Sequence, residues 1–283
     1  MIKKESILKR ISFDECRKIQ LDILSAVDEF CNTNVIKYSI AYGTLLGAVR
    51  HHGFIPWDDD IDVFMLREDY DRFVNLFPDN YKGVYEIGTF SRCSKWASPF
   101  AKVFDNRTML VQERATTTYR GINVDIFPLD DVNDNLSVEK KRNCFITILK
   151  RIVNVKYIKI VGERKLLKNL ILCIVKIPAF FFPMKYLISR IDKISNAENG
   201  KGYSNCRYKG LPIKAMIPKA LFENIVRYKF EDRFFMGINN YDLFLKNMYG
   251  DYMTPPPLEQ RQGKHHIQVF WINTNNRTKD GIV

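Results

Sequence analysis

Apolar residues at helical spacing open the chain. Ile19, Ile23, Val27 and Phe30 recur behind Ser12-Phe13-Asp14-Glu15, which has the form of a capping box. The pattern predicts a helix from near Phe13 to near Cys31. Val35 to Tyr42 reads as a strand ending at Gly43, and residues 43–50 as a small-residue turn opening a short helix. His51 to Pro56 reads as a loop and Ile61 to Leu66 as a strand. A helix should follow from Arg67 to Phe77, with Tyr70, Phe73, Val74 and Phe77 on one face. Val84–Phe90, Pro99–Phe104 and Met109–Gln112 are β-like, and Gly121–Phe127 is a strand that Pro128 should stop. This order of elements predicts an α+β domain with a mixed sheet flanked by helices.

The pattern changes after Asp134. Between Lys140 and Lys176 there are eleven Lys/Arg and one acidic residue, Glu163. Long helices with apolar faces should run through Ile194. Either their basic faces are simply solvated, or they meet an anionic membrane or polyphosphate. Leu166 to Ile188 is apolar but interrupted by Lys168, Lys176, Lys185, Pro178 and Pro183, so it reads as an interfacial segment or a buried helical hairpin, not a span. Asn196 to Gly210 is loop-like, and Pro218 should open a short helix. Val226 to Phe235 is β-like, and Tyr241, Phe244, Leu245 and Met248 mark a last helix ended by Gly250. Pro255-Pro256-Pro257 forces an extended segment, and Thr274 to Val283 reads as a polar tail.

Bulk composition adds limits. The 283 residues, 46% hydrophobic, are enough for a core of domain size. A net charge of +12 favours anionic partners. Six scattered cysteines without a CxxC pair argue against a zinc site or a disulfide framework and for a reducing cytoplasm. The first residues lack the apolar run of a signal peptide.

Chemistry gathers in Trp57-Asp58-Asp59-Asp60-Ile61-Asp62. Alternate residues of a strand share a face, so Asp60 and Asp62 should project together. Paired carboxylates repel unless a cation lies between them, and a divalent ion suits such hard ligands. The bland alternative is an acidic turn before a strand. Upstream, Gly43 allows close backbone approach and Thr44 offers a hydroxyl and an N–H at a helix start, a setting that favours phosphate oxygens. Asp125, inside an apolar strand, is the candidate third carboxylate, since a buried Asp needs a partner. Asp130 and Asp131 fit better as turn caps. Arg50 and Lys102 are candidate phosphate contacts. Trp57 could stack on a base, wall a quaternary ammonium by cation–π contact, or anchor the loop. All four histidines fall in two pairs, His51-His52 and His265-His266.

Four segments carry a family resemblance. They are Tyr42 to Arg50 (YGTLLGAVR), Gly53 to Asp62 (GFIPWDDDID), Val124 to Asp130 (VDIFPLD), and Tyr249 to Pro257 (YGDYMTPPP) with Arg261 and His265-His266 beyond. In this order they resemble the LicD family of phosphocholine transferases, of the nucleotidyltransferase-fold superfamily that includes the fukutin-related proteins. The turn usually carrying a Pro before the last helix is here Met236 to Asn240. The resemblance implies a nucleotidyltransferase-like core in residues 1–135, a basic helical insertion in 136–210 and a C-terminal part, 211–283, completing the catalytic domain. It also implies transfer of a phospho-alcohol from a CDP-activated donor such as CDP-choline to a sugar hydroxyl of a surface glycan (lipopolysaccharide, capsule or teichoic acid), with CMP leaving. Asp60, Asp62 and Asp125 take the metal positions, for Mg²⁺ or Mn²⁺. Gly43, Thr44, Arg50, Trp57, Arg261, His265 and His266, which lie in or just beyond the matched segments, are the candidates for substrate contact, together with Lys102 of the strand-like run Phe100–Phe104. Localisation should be cytoplasmic, with peripheral contact to the anionic inner face of the membrane. Two alternatives remain open on the residues: a nucleotidyltransferase moving NMP onto a small molecule or RNA, and a non-enzymatic basic protein binding nucleic acid or membrane. The last does not explain carboxylates in apolar strands, and no nucleic-acid partner is expected.

Overall fold

The structure is a computed structural model. It describes residues 7–93, 96, 98–112, 121–158, 170, 173–174, 176–177, 179–196, 200, 202–206, 216–261 and 267–272. The polar tail, most of 159–178 and the His265-His266 pair lie outside the described residues.

Strand β1 (Ile7–Arg10) leads into helix α1 (Phe13–Thr33). The capping box forms as its sequence dictates: Glu15 N–H donates to Ser12 Oγ, and Ser12 N–H donates to Glu15 Oε2 at 2.9 Å. Losing such a cap costs about 1 kcal/mol. The apolar stripe of α1 is buried, completely so at Ile23, Leu24 and Val27. A short strand, β2 (Ser39–Ile40), precedes α2 (Tyr42–His51), so the helix absorbs residues expected to end the strand and begin the next loop. Strand β3 (Asp62–Leu66) and helix α3 (Arg67–Leu76) follow. Then come β4 (Tyr85–Gly88), β5 (Ala101–Asp105), β6 (Thr108–Gln112) and β7 (Asn123–Asp131).

The main sheet has the order β2-β3-β7-β5-β4, with β3 and β7 parallel and the other neighbours on this path antiparallel. Pro128 does not stop β7, contrary to expectation. The Asp125 N–H points to β3, bonding Ile61 O at 2.9 Å. By alternation the nitrogen of Pro128 faces the other side. There β5 has ended at the Ala101–Ile126 pair and β8 (Tyr203–Asn205) begins only at Asp130, so no ladder bond is lost. The continuation also moves Asp130 and Asp131 out of turn-capping roles. Asp130 is fully buried and bonds Arg67 Nε at 2.6 Å, while Asp131 pairs with Lys219 at 2.8 Å.

Helices α4 (Leu136–Tyr157) and α5 (Met184–Ser195) pack together, sending Ile146, Leu149, Leu187, Ile188 and Ile191 into the common core. No helix among the described residues is long and apolar enough to cross a membrane. Strand β9 (Ile217–Pro218) pairs with β8, and a 3₁₀ turn over Lys219–Phe222 stands where Pro218 was expected to open a helix. Val226 to Phe235 resolves into a hairpin, β10 (Ile225–Phe230) and β11 (Arg233–Ile238), turning at Glu231 in a left-handed conformation. Helix α6 (Tyr241–Tyr249) buries Phe244 and Leu245. Strand β12 (Ile267–Ile272) lies between β1 and β6, so the two ends of the fold meet in one sheet.

Candidate active site

The parallel ladder fixes the first feature of the site. Asp62 of β3 lies in register with Asp125 of β7, and Asp125 lies in register with Lys102 of β5. Register partners share a sheet face, so the three form a row across adjacent strands. Lys102 Nζ reaches Asp125 Oδ1 at 2.6 Å, with both side chains mostly buried, at 11% and 14% exposure. Asn123 Nδ2 donates to the same oxygen at 2.7 Å. Lys102, a candidate phosphate contact in the sequence, is therefore a mostly buried ion-pair partner of Asp125. Asp62 is buried, and its N–H donates to Thr44 Oγ1 at 2.9 Å. That bond ties the first turn of α2 to the start of β3 and leaves the Thr44 hydroxyl its own proton to donate.

The acidic run continues upstream as an irregular loop, since β3 begins only at Asp62. Carboxylate oxygens of Asp58, Asp59 and Asp60 lie within 4.8 Å of one another. The Asp58 carboxylate rests against Gly43, where a Cβ would sit 2.3 Å from Oδ2. Asp60 thus joins Asp58 and Asp59, and Asp62 joins Asp125. Asp60 and Asp62 line one cleft of about 800 Å³ together with Gly43, Arg50, Trp57 and Tyr249. Tyr42, just before Gly43, has φ 45°, a left-handed conformation that costs a bulky residue roughly 1–3 kcal/mol. Its ring is held edge-on by Phe64 and Phe127 at 4.6 and 5.9 Å, and this packing aims the start of α2 at the cleft.

Two residues not singled out by sequence hold the acidic loop from behind. Arg17 Nη2 donates to the carbonyls of Ile55, Pro56 and Asp58 at 2.8, 3.0 and 2.8 Å. Gln20 Nε2 donates to Asp59 O at 2.9 Å. Both project from α1, one turn apart. The Arg17 guanidinium also stacks on Phe13 and Phe54, and burial lowers its pKa against the opposing pull of nearby acids, Asp14 first. The β-hairpin adds a third support, since Glu231 Oε1 accepts the Phe54 N–H at 2.9 Å.

Arg50 and Trp57 also line the cleft. Arg261 lies over the Trp57 ring, 5.2 Å from its centroid, and His51 meets that ring edge-on. Arg50 donates to Tyr252 O. Burial lowers the pKa of Arg50, and the charge of Arg261 lowers it further. His52 ends α2 in a left-handed conformation and is exposed, so His51 alone of its pair meets Trp57. Desolvation, followed by the charges of Asp62, Asp58 and Asp60, holds the Tyr249 phenol protonated well above its ordinary range. Tyr249 and Tyr252 stand in the fourth matched segment, but nothing in their spacing marked them as wall residues.

The site is thus a register pair of aspartates, Asp62 and Asp125, on an α+β sheet, with Asp62 at a cleft lined also by the start of α2, the acidic loop and Arg50. The family description LicD/FKTN/FKRP, nucleotidyltransferase domain, matches residues 35–158. The chain is 32% identical over 282 residues to the lipopolysaccharide cholinephosphotransferase LicD of Haemophilus influenzae, an alignment covering 94% of this chain and 100% of that protein. An uncharacterized protein of Rickettsia typhi is 42% identical over 81 residues, covering 28% of this chain and 26% of its own length. The chain belongs to the LicD family.

Proposed function

We propose that this protein transfers phosphocholine, or a similar phospho-alcohol, from a CDP-activated donor such as CDP-choline to a sugar hydroxyl of lipopolysaccharide or a related surface glycan, releasing CMP. The observation that carries the reading is the full-length similarity to a lipopolysaccharide cholinephosphotransferase. The Asp62–Asp125 register pair beside the cleft supports it. Peripheral contact with an anionic membrane would bring the protein to a lipid-linked acceptor.

Asp60, Asp62 and Asp125 would hold Mg²⁺ or Mn²⁺. The oxygen-only donor set and the register of Asp62 with Asp125 suit a hard divalent cation, and Asp60 stands nearby among the converging carboxylates of Asp58, Asp59 and Asp60. Such an ion, when bound, neutralises charge on the transferring phosphoryl group. Arg50 and Arg261 bind donor phosphate oxygens, with the backbone at Gly43 and the hydroxyl of Thr44 behind them. Trp57, backed by Arg261, forms a wall against the base or the alcohol. The acceptor oxygen bonds to the phosphorus carrying the alcohol as the bond from that phosphorus to CMP breaks. Asp125, oriented by Lys102 and Asn123, takes the acceptor's proton. Tyr249, kept protonated, donates to the departing phosphate.

Incubation with Mg²⁺ and CDP-choline, CDP-ribitol, CDP-glycerol or CTP tests the reading. Acceptor-dependent CMP release from one of the CDP-alcohols is expected. Pyrophosphate release from CTP with nucleotide incorporation would replace it by nucleotidyl transfer.

A further inference from the structure

Away from the cleft, three consecutive phenylalanines stand at the turn into α5. Phe180, Phe181 and Phe182 are 79%, 76% and 45% exposed, and Ile174 and Ile177 just before them are 59% and 65% exposed. Single exposed apolar residues are ordinary, but five within nine positions are not. The base beneath them is anchored. Ala179 is buried and its carbonyl accepts Lys156 Nζ of α4 at 2.8 Å. On the far side Leu187, Ile188 and Ile191 are fixed in the core, and Asp192 pairs with Arg67 at 3.1 Å. An aromatic tip on a rigid root is shaped to insert into something apolar.

Charge selects the occupant. From Lys140 to Lys193 the sequence has fourteen Lys/Arg and two acidic residues, Glu163 and Asp192. Lys185, three residues after Phe182, is exposed, and Arg190 is exposed further along α5. Like charges on such flanks would oppose a second copy of the chain, whereas anionic headgroups complement them. We infer that Phe180, Phe181 and Phe182 form a membrane-insertion tip, seated below the headgroups of an anionic bilayer while flanking Lys and Arg residues hold the lipid phosphates. Lys, Arg and aromatic side chains divide the interface in this way elsewhere. The inference deepens the membrane contact proposed above and rests on it.

Flotation of the full chain with vesicles tests both levels. Wild type should float with vesicles enriched in phosphatidylglycerol, float poorly with phosphatidylcholine alone, and be released by high salt. The F180S/F181S variant should lose roughly 10-fold or more of that binding, and CMP release with a soluble acceptor should be unchanged. The Phe180→Trp variant should gain fluorescence quenching by brominated acyl chains only with anionic vesicles. No flotation of wild type would overturn the membrane contact itself. Equal flotation of the double variant, or no quenching in the Phe180→Trp variant, would overturn the tip alone. A dimer in sedimentation that F180S/F181S abolishes would assign the tip to a second copy instead.

Discussion

The cleft and the aromatic tip carry opposite chemistry in opposite ways. At the cleft, charged groups are packed and held: Lys102 and Asp125 are mostly buried, and Arg17 fastens three carbonyls of the acidic loop. At the tip, apolar rings are left in the open above a buried root. Burying charge is costly and is retained where geometry must be fixed, while exposing apolar area is costly and is retained where a partner covers it. Each region breaks the ordinary rule of burial in the direction its proposed partner requires.

Substitutions can test that contrast. The largest effect should come from the carboxylates. Asp60→Ala and Asp62→Asn should each lower transfer by roughly 10²- to 10³-fold, with near-native circular dichroism. Retained activity in both would remove the metal assignment. Next come two glycines of α2. A Cβ on Gly47 would meet the Gly53 carbonyl oxygen at 2.4 Å, a backbone atom that cannot easily yield. Gly47→Ala should therefore lower stability by about 1–3 kcal/mol in a denaturant melt. Gly43→Ala instead meets the Asp58 carboxylate. It should melt near wild type but lose roughly 10- to 100-fold in kcat, since small displacements at a reacting centre are expensive. Equal behaviour of the two variants would contradict the contact with Asp58. Arg17→Ala should weaken Mg²⁺-dependent thermal stabilisation roughly 10-fold in ion concentration, as loss of a ligand-orienting residue does. Gln20→Ala should cost about 1 kcal/mol or less. An Arg17→Ala protein with unchanged metal dependence would reduce Arg17 to a packing role.

Local signals were the legible ones. The Ser12–Glu15 box and the α1 stripe are each written within a few residues, and both form where expected. The Asp-rich run was as plain, but Asp60 lies in the loop with Asp58 and Asp59 and not on a strand face with Asp62. What the sequence concealed depends on distant partners. Strand β1 is four residues long and its partner β12 begins more than 250 residues later, so neither carried a periodic signal of its own. Pro128 read as a stop because the gap between β5 and β8 on one side of β7 is a property of the sheet. Arg17 and Gln20 belong to no motif, and only the folded loop supplies the carbonyls they bind. The Asp125 position was readable from its apolar neighbours, but its register with Asp62 and Lys102 required the strand order.

The most direct measurement follows choline itself. CDP-choline labelled in its methyl groups is incubated with Mg²⁺ and lipopolysaccharide lacking phosphocholine, using wild type and Asp62→Asn. Label should enter the lipopolysaccharide with an equal amount of CMP released by wild type, and the variant should do neither. Label remaining in CDP-choline, or CMP released without label transfer, would contradict phosphocholine transfer as the reaction of this cleft.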